Sequence, residues 1–197
     1  MKSDTKKLIL TEKDILGRGT NKIVYYHPED KNKCIKFSLD ADDKSDLRYE
    51  LIYRKACRDK VEKSTLLTKY FGTLETNLGT GHVFELVRDF DGKLSETFES
   101  LIIREKNSAK VREVLTLFKE KLFEEMIITY KIFPDNFMIQ RLSEQEYRIR
   151  LIDGIGMHVL VPVPYFSGYV AMRRQKRVWE EFLKQLQDKF GFQDIVG

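Results

Sequence analysis

The chain has 197 residues, 42% hydrophobic and 34% charged, a mixture that argues for a folded protein and against a disordered or membrane-embedded one. Thirty-five lysines and arginines against 31 acids leave a charge of +4, too small and too dispersed to argue nucleic-acid binding, though it suits an anionic ligand. Only Cys34 and Cys57 are present, without CxxC spacing, which argues against a disulfide framework or thiolate metal site and fits a reducing compartment.

The first residues carry no apolar core of signal-peptide length. The longest apolar stretch, residues 159–166, is broken by Pro162 and Pro164, so a cytoplasmic protein without a membrane span is expected. His27, His82 and His158 lack metal-ligand spacing and are expected to serve packing or surface roles.

In chain order, the first third reads as strands at residues 8–10, 14–16 and 23–26, the last two separated by a glycine turn. His27-Pro28-Glu29-Asp30-Lys31-Asn32 is dense in turn formers and leads into a strand at 34–38, giving three successive antiparallel strands. Ser45 is placed to cap a helix over 46–61, whose apolar residues are Leu47, Leu51 and Ile52. Strands at 71–75 and 82–87 flank a turn at 79–81. Asp89-Phe90-Asp91-Gly92 reads as a linker, after which Val111, Leu115, Phe118 and Leu122 recur at helical spacing. That pattern fails at Pro134, where strands at 137–139 and 147–152 form a hairpin. A final amphipathic helix over 172–190 carries Val178, Trp179, Phe182, Leu183 and Leu186 on one face.

Five features along this frame carry chemistry. Gly17 and Gly19 join two strands, where the missing Cβ lets backbone N–H groups approach phosphate oxygens; an ordinary glycine hairpin is the alternative. Lys36 interrupts an otherwise apolar strand, as a phosphate partner would or as a gatekeeper on an edge strand would. Glu50, 14 residues on, can hold that ammonium from the helix or simply face solvent. Asn136 and Asp153 are hard oxygen donors suited to Mg2+ with phosphates completing the shell, or turn residues beside proline and glycine. They stand 17 residues apart, which a hairpin would bring to one end of adjacent strands. Individually each is weak, but the ordered set is hard to obtain by chance.

With this set the sequence resembles the protein-kinase-like superfamily, matching Gly17, Gly19 and Val24 in the loop, the strand lysine Lys36, the helix glutamate Glu50, and Asn136 and Asp153 at the metal. Tyr25-Tyr26-His27-Pro28-Glu29-Asp30, Gly72-Thr73-Leu74-Glu75-Thr76, Asp89-Phe90-Asp91-Gly92-Lys93 and Arg173-Arg174-Gln175-Lys176-Arg177 more closely resemble the bacterial PhoP regulatory network (YrbL-like) family. The resemblance implies an α+β, kinase-like two-lobed fold: a five-stranded antiparallel first lobe with one helix over residues 1–92, and a shortened, mainly helical second lobe over 93–197. It implies ATP and Mg2+ as ligands, Glu85 and Val87 as further nucleotide contacts, and an acceptor or regulatory protein as partner.

The departures leave two readings open. The catalytic aspartate position is Lys131 and the loop's phosphate-facing lysine is Phe133; Lys22 replaces the third loop glycine, and Asp153-Gly154-Ile155-Gly156 replaces Asp-Phe-Gly. A phosphotransferase using Lys131 and Asp153 is one reading. A pseudokinase-type binding module is the other. A third takes Arg173–Arg177 as a nucleic-acid or anionic-membrane footprint, against a solvated basic helix end; no nucleic acid is expected.

Overall fold

The computed structural model describes residues 7–39, 46–157, 165 and 167–192. It is an α+β protein in which a five-stranded antiparallel sheet precedes a helical part built on a three-stranded sheet. Strands β1 (Ile15–Arg18), β2 (Lys22–Tyr26), β3 (Lys33–Ser38), β4 (Tyr70–Thr76) and β5 (Gly79–Glu85) lie in the order β1-β2-β3-β5-β4. β3 is therefore central, and its Cys34, Ile35 and Lys36 are all buried. One sheet face packs Ile23, Tyr25 and Ile35 against Leu10. The other packs Cys34, Phe84 and Leu86 with Leu47.

Helices α1 (Asp46–Ala56) and α2 (Arg58–Lys63) connect β3 to β4. The single helix expected over 46–61 is thus broken at Cys57, whose backbone leaves the helical region at φ −114°, ψ 38°. The face of α1 is also not the expected one: Ile52 is exposed, whereas Glu50, Tyr53 and Arg54 are buried with Leu47. The expected turn at 79–81 sits two residues earlier, because Asn77 exchanges two hydrogen bonds with the Leu10 backbone and Gly79, at φ +104°, starts β5. The expected strand at 8–10 reduces to one parallel bridge, Leu8 to Thr76. Ser45, His158 and the apolar stretch from 159 lie outside the described residues, apart from Tyr165.

The Asp89-Phe90-Asp91-Gly92 connection is clamped rather than loose. Asp89 accepts from Ser95 Oγ at 2.6 Å, from the Arg141 N–H at 3.0 Å and from Arg141 Nε at 2.7 Å, while Arg141 Nη2 reaches Asp91 at 2.7 Å. Beyond it come β6 (Glu96–Thr97), α3 (Phe98–Glu105), α4 (Ala109–Glu124), β7 (Phe137–Arg141), β8 (Tyr147–Leu151) and α5 (Gly168–Phe190). Thr97, Ser108 and Ser167 cap α3, α4 and α5 through side-chain oxygens, and the Ser167 cap starts the last helix four residues before the expected 172. α5 buries Ala171, Gln175, Val178, Trp179, Phe182 and Leu186 along one stripe. They meet Phe98, Phe118 and Phe137; Phe137 stacks on Phe118 at 3.9 Å and on Phe98 at 4.8 Å. This aromatic cluster anchors the start of β7.

Candidate functional site

A cleft of about 360 Å3 lies where β1, β2 and β3 face the end of β5 and the β7–β8 hairpin. Gly17, Gly19, Val24, Lys36, Glu85, Val87, Asn136 and Asp153 all line it. Glu50 and Lys131, the other two residues singled out in the sequence, do not.

Local structure explains each position. Lys36 pairs in register with Val24 on one side and His82 on the other, so the β3 ladder carries it onto the face shared with Cys34 and Phe84. It is 6% exposed; its Nζ donates to the Ile152 carbonyl at 2.7 Å and lies 4.2 Å from the Phe84 ring centre. Its central strand rules out the edge gatekeeper. Glu50 is 2% exposed, which rules out a solvated helix face, and it is held by Arg54 one turn on, at 2.7 Å. Burial works to raise the Glu50 carboxyl, but the Lys36 charge, then Arg54, outweigh it and hold the group below the ordinary value.

The hairpin supplies the oxygen donors. Phe137 pairs with Leu151, both fully buried, so the residue before β7 lies beside the residues after β8, and the Ile152 N–H donates to the Asn136 carbonyl at 2.8 Å. Two glycines then let the chain after Asp153 run back along residues 128–130. Gly154, at φ +78°, would put a Cβ 2.5 Å from the Lys131 carbonyl and 2.7 Å from Asn136 Nδ2. Gly156, at φ +88°, would meet the Tyr49 carbonyl at 2.6 Å.

The loop glycines differ. A Cβ at Gly17 would meet nothing within 4 Å and one at Gly19 only ordinary contacts, so the fold itself does not require glycine at either position. Val87, 1% exposed, accepts from the Ser95 N–H, and its own N–H has no acceptor among the described residues. Glu85 turns its carboxylate away to Arg150 and to the Lys69 N–H. Leu16, Leu86, Leu94 and Met138 complete an apolar jaw beside Val24 and Val87.

Lys22, absent from the residues singled out in the sequence except as a departure from glycine, is ion-paired with Asp153 and lines the cleft. Burial and then the neighbouring Lys36 ammonium push it down to about 8, against the pull of Glu50, Asp46 and Asp135. A lysine in place of the third loop glycine, at the start of β2, was the signal in the sequence. Lys131 is exposed, with its ammonium 4.4 Å over the Phe133 ring, outside the cleft lining; Asp135, two residues beyond Phe133, lines the cleft instead.

Among the described residues no three His, Cys, Asp or Glu side chains come together to hold a metal ion. Asn136 and Asp153, two oxygen donors at one cleft end, fit Mg2+, which is held by few protein ligands and relies on phosphates for the rest. Of the basic run in α5, Arg174 donates to the Tyr130 carbonyl, Gln175 is buried against the Leu122 and Ile127 carbonyls, and Arg177 pairs with Glu181. No helix among the described residues is long and apolar enough to cross a membrane.

Comparison with known proteins places this α+β chain with its lysine-floored cleft in a family. The family described as PhoP regulatory network protein YrbL matches residues 8–187. Uncharacterized protein YrbL of Escherichia coli (strain K12) is 34% identical over 181 residues, covering 89% of this chain and 86% of that protein, and uncharacterized protein YrbL of Shigella flexneri is similar to the same extent. The chain belongs to the PhoP regulatory network protein YrbL family.

Proposed function

We propose that this chain is a kinase-like, two-lobed protein that binds Mg-ATP in the cleft between residues 1–92 and 93–197. The observation carrying this reading is Lys36: an ammonium buried on the central strand, facing a cleft whose other walls bring Gly17 and Gly19, Val87, and Asn136 and Asp153 together from distant segments. A lysine so buried calls for an anionic partner. In this reading the loop backbone at Gly17 and Gly19 approaches the phosphates, the Val87 N–H meets the base edge, and the Leu16–Met138 jaw sandwiches it. Asn136 and Asp153 would hold Mg2+, which supplies neutralisation of phosphate charge. Lys36 adds a fixed charge, and Arg54 holds Glu50 in place behind it.

Phosphoryl transfer depends mostly on positioning and charge, so the reading extends to a phosphotransferase acting on an unidentified acceptor, with Asp135 as the carboxylate at hand. A second reading, a pseudokinase-type module of a PhoP-linked regulatory network, is favoured by Lys131, which stacks on Phe133 instead of lining the cleft. Thermal unfolding tests the common core of both. Mg-ATP at 100 times Kd stabilises the wild type by roughly 2.7 kcal/mol, and Lys36→Ala or Asp153→Ala reduces the shift. Identical melting with and without nucleotide in all three proteins sinks the proposal. Single-turnover transfer from γ-labelled ATP then separates the two readings: label reaching protein, water or cell extract supports the enzyme, and none above an Asp153→Asn background supports the module.

A further inference from the structure

A second cavity, of about 340 Å3, lies behind the cleft, between α1, α2, β4 and β8. Four cations line it, Arg54, Arg58, Lys69 and Arg150, against one carboxylate, Glu62. The carboxylates that pair with Arg54 and Arg150, Glu50 and Glu85, are not part of its wall; Glu85 belongs to the wall of the first cleft. The cavity therefore presents the guanidinium side of those two pairs, while Arg58 pairs with Glu62 on the wall itself.

Two buried polar atoms there have no partner among the described residues. Arg150 is 4% exposed, donating Nη1 to the Thr65 carbonyl and Nη2 to Glu85, while its Nε has no partner among the described residues. The Thr68 hydroxyl, on a residue 2% exposed, is likewise unpartnered, and Thr68 lines both cavities. Buried polar groups of this kind normally have a partner. Guanidinium groups with a hydroxyl and an ammonium suit a phosphate, which accepts bidentate hydrogen bonds. The volume exceeds that of a bare anion, and Val61, Leu67, Tyr70 and Phe71 give the remainder an apolar and aromatic lining.

We propose that this cavity is a second ligand site, for a small organic phosphate, and that its occupancy is transmitted to the cleft through the Arg54–Glu50 and Arg150–Glu85 pairs. A phosphate competing for Arg54 loosens its hold on Glu50, which also feels the Lys36 charge. Lys36 then exchanges the Ile152 carbonyl for Glu50. The site stands independently of any nucleotide in the cleft.

The test follows arginine Nε–Hε signals of the full-length protein by NMR while phenyl phosphate, inorganic phosphate or sodium chloride is added at matched ionic strength. Phenyl phosphate gives a saturable shift at Arg150 and Arg54 with a smaller one at the Ile152 to Gly154 amides, inorganic phosphate binds about tenfold more weakly, and chloride does nothing. Arg58→Gln with Lys69→Gln, both on exposed positions, weakens binding about tenfold, whereas Lys184→Gln, exposed on α5 and in neither cavity wall, leaves it unchanged. Shifts that track ionic strength without saturating, or that weaken equally with Lys184→Gln, overturn the site. Equal affinity for the two phosphates overturns the organic ligand and leaves free phosphate; absence of any change from Ile152 to Gly154 overturns the transmission. Failure of ATP to bind would remove the cleft reading alone.

Discussion

Lys22 occupies the carboxylate that the metal reading assigns to Asp153, so a tethered cation and a diffusing one compete for one group. Removing the tethered one tips the balance. Lys22→Met should therefore tighten Mn2+ binding in the presence of ADP by about tenfold, roughly 1.4 kcal/mol, in an electron paramagnetic resonance titration. Unchanged metal affinity would show that Lys22 is not a competitor. Glu50 makes the complementary case. It neutralises Arg54, 6% exposed, and Glu50→Ala leaves that guanidinium buried without its carboxylate, an expected loss of about 3–5 kcal/mol in denaturant unfolding. A loss below about 1 kcal/mol would mean that water or another acceptor reaches Arg54. Lys36 was legible in the sequence because a lysine among strand-forming apolar residues stands out. The Glu50–Arg54 pair was not, because charged residues one turn apart look the same on a solvated helix face and on a buried one.

At the scale of elements, the clamp between the β5–β6 connection and β7 carries its own pH signature. Burial would raise the Asp89 carboxyl, but hydrogen bonds from Ser95 and Arg141 hold it below the ordinary value. A carboxyl depressed on folding contributes stability that is complete above its unfolded value, near 3.9, and is lost as pH falls through the folded one. Asp89→Asn should accordingly be less stable than wild type at pH 7, with the gap closing below about pH 4. A gap independent of pH would assign the loss to packing alone. The sequence marked this segment as a linker because Asp and Gly cluster there, and only the contact with Arg141, some 50 residues on, reveals the clamp. The β4–β5 turn was misplaced for the same reason: Asn77 answers to Leu10, 67 residues away, while the glycines at 79 and 81 gave the stronger local signal. The β7–β8 hairpin was legible because its determinants, proline, polar turn and alternating apolar strands, are local.

For the molecule as a whole, the cleft joins parts of the chain that meet late. Lys36 and Ile152 are 116 residues apart, and between them the chain must complete the first sheet, pack α3 and α4, and close the hairpin on Phe98 and Phe118. Loop-closure entropy makes such long-range contacts among the slowest to form. The cleft is therefore a product of complete folding, not a feature of the first sheet alone: a chain interrupted before β8 has the glycine loop and the lysine but neither Ile152 to hold the ammonium nor Asp153 beside it. Refolding followed by pulsed hydrogen exchange should protect the β2–β3 amides before nucleotide can alter the rate, with ATP slowing only unfolding. Acceleration of the refolding step by ATP would mean that the site assembles early. As ribosomal synthesis delivers Asp153 after every other residue of the cleft wall, a completed cleft reports that the β7–β8 hairpin has docked.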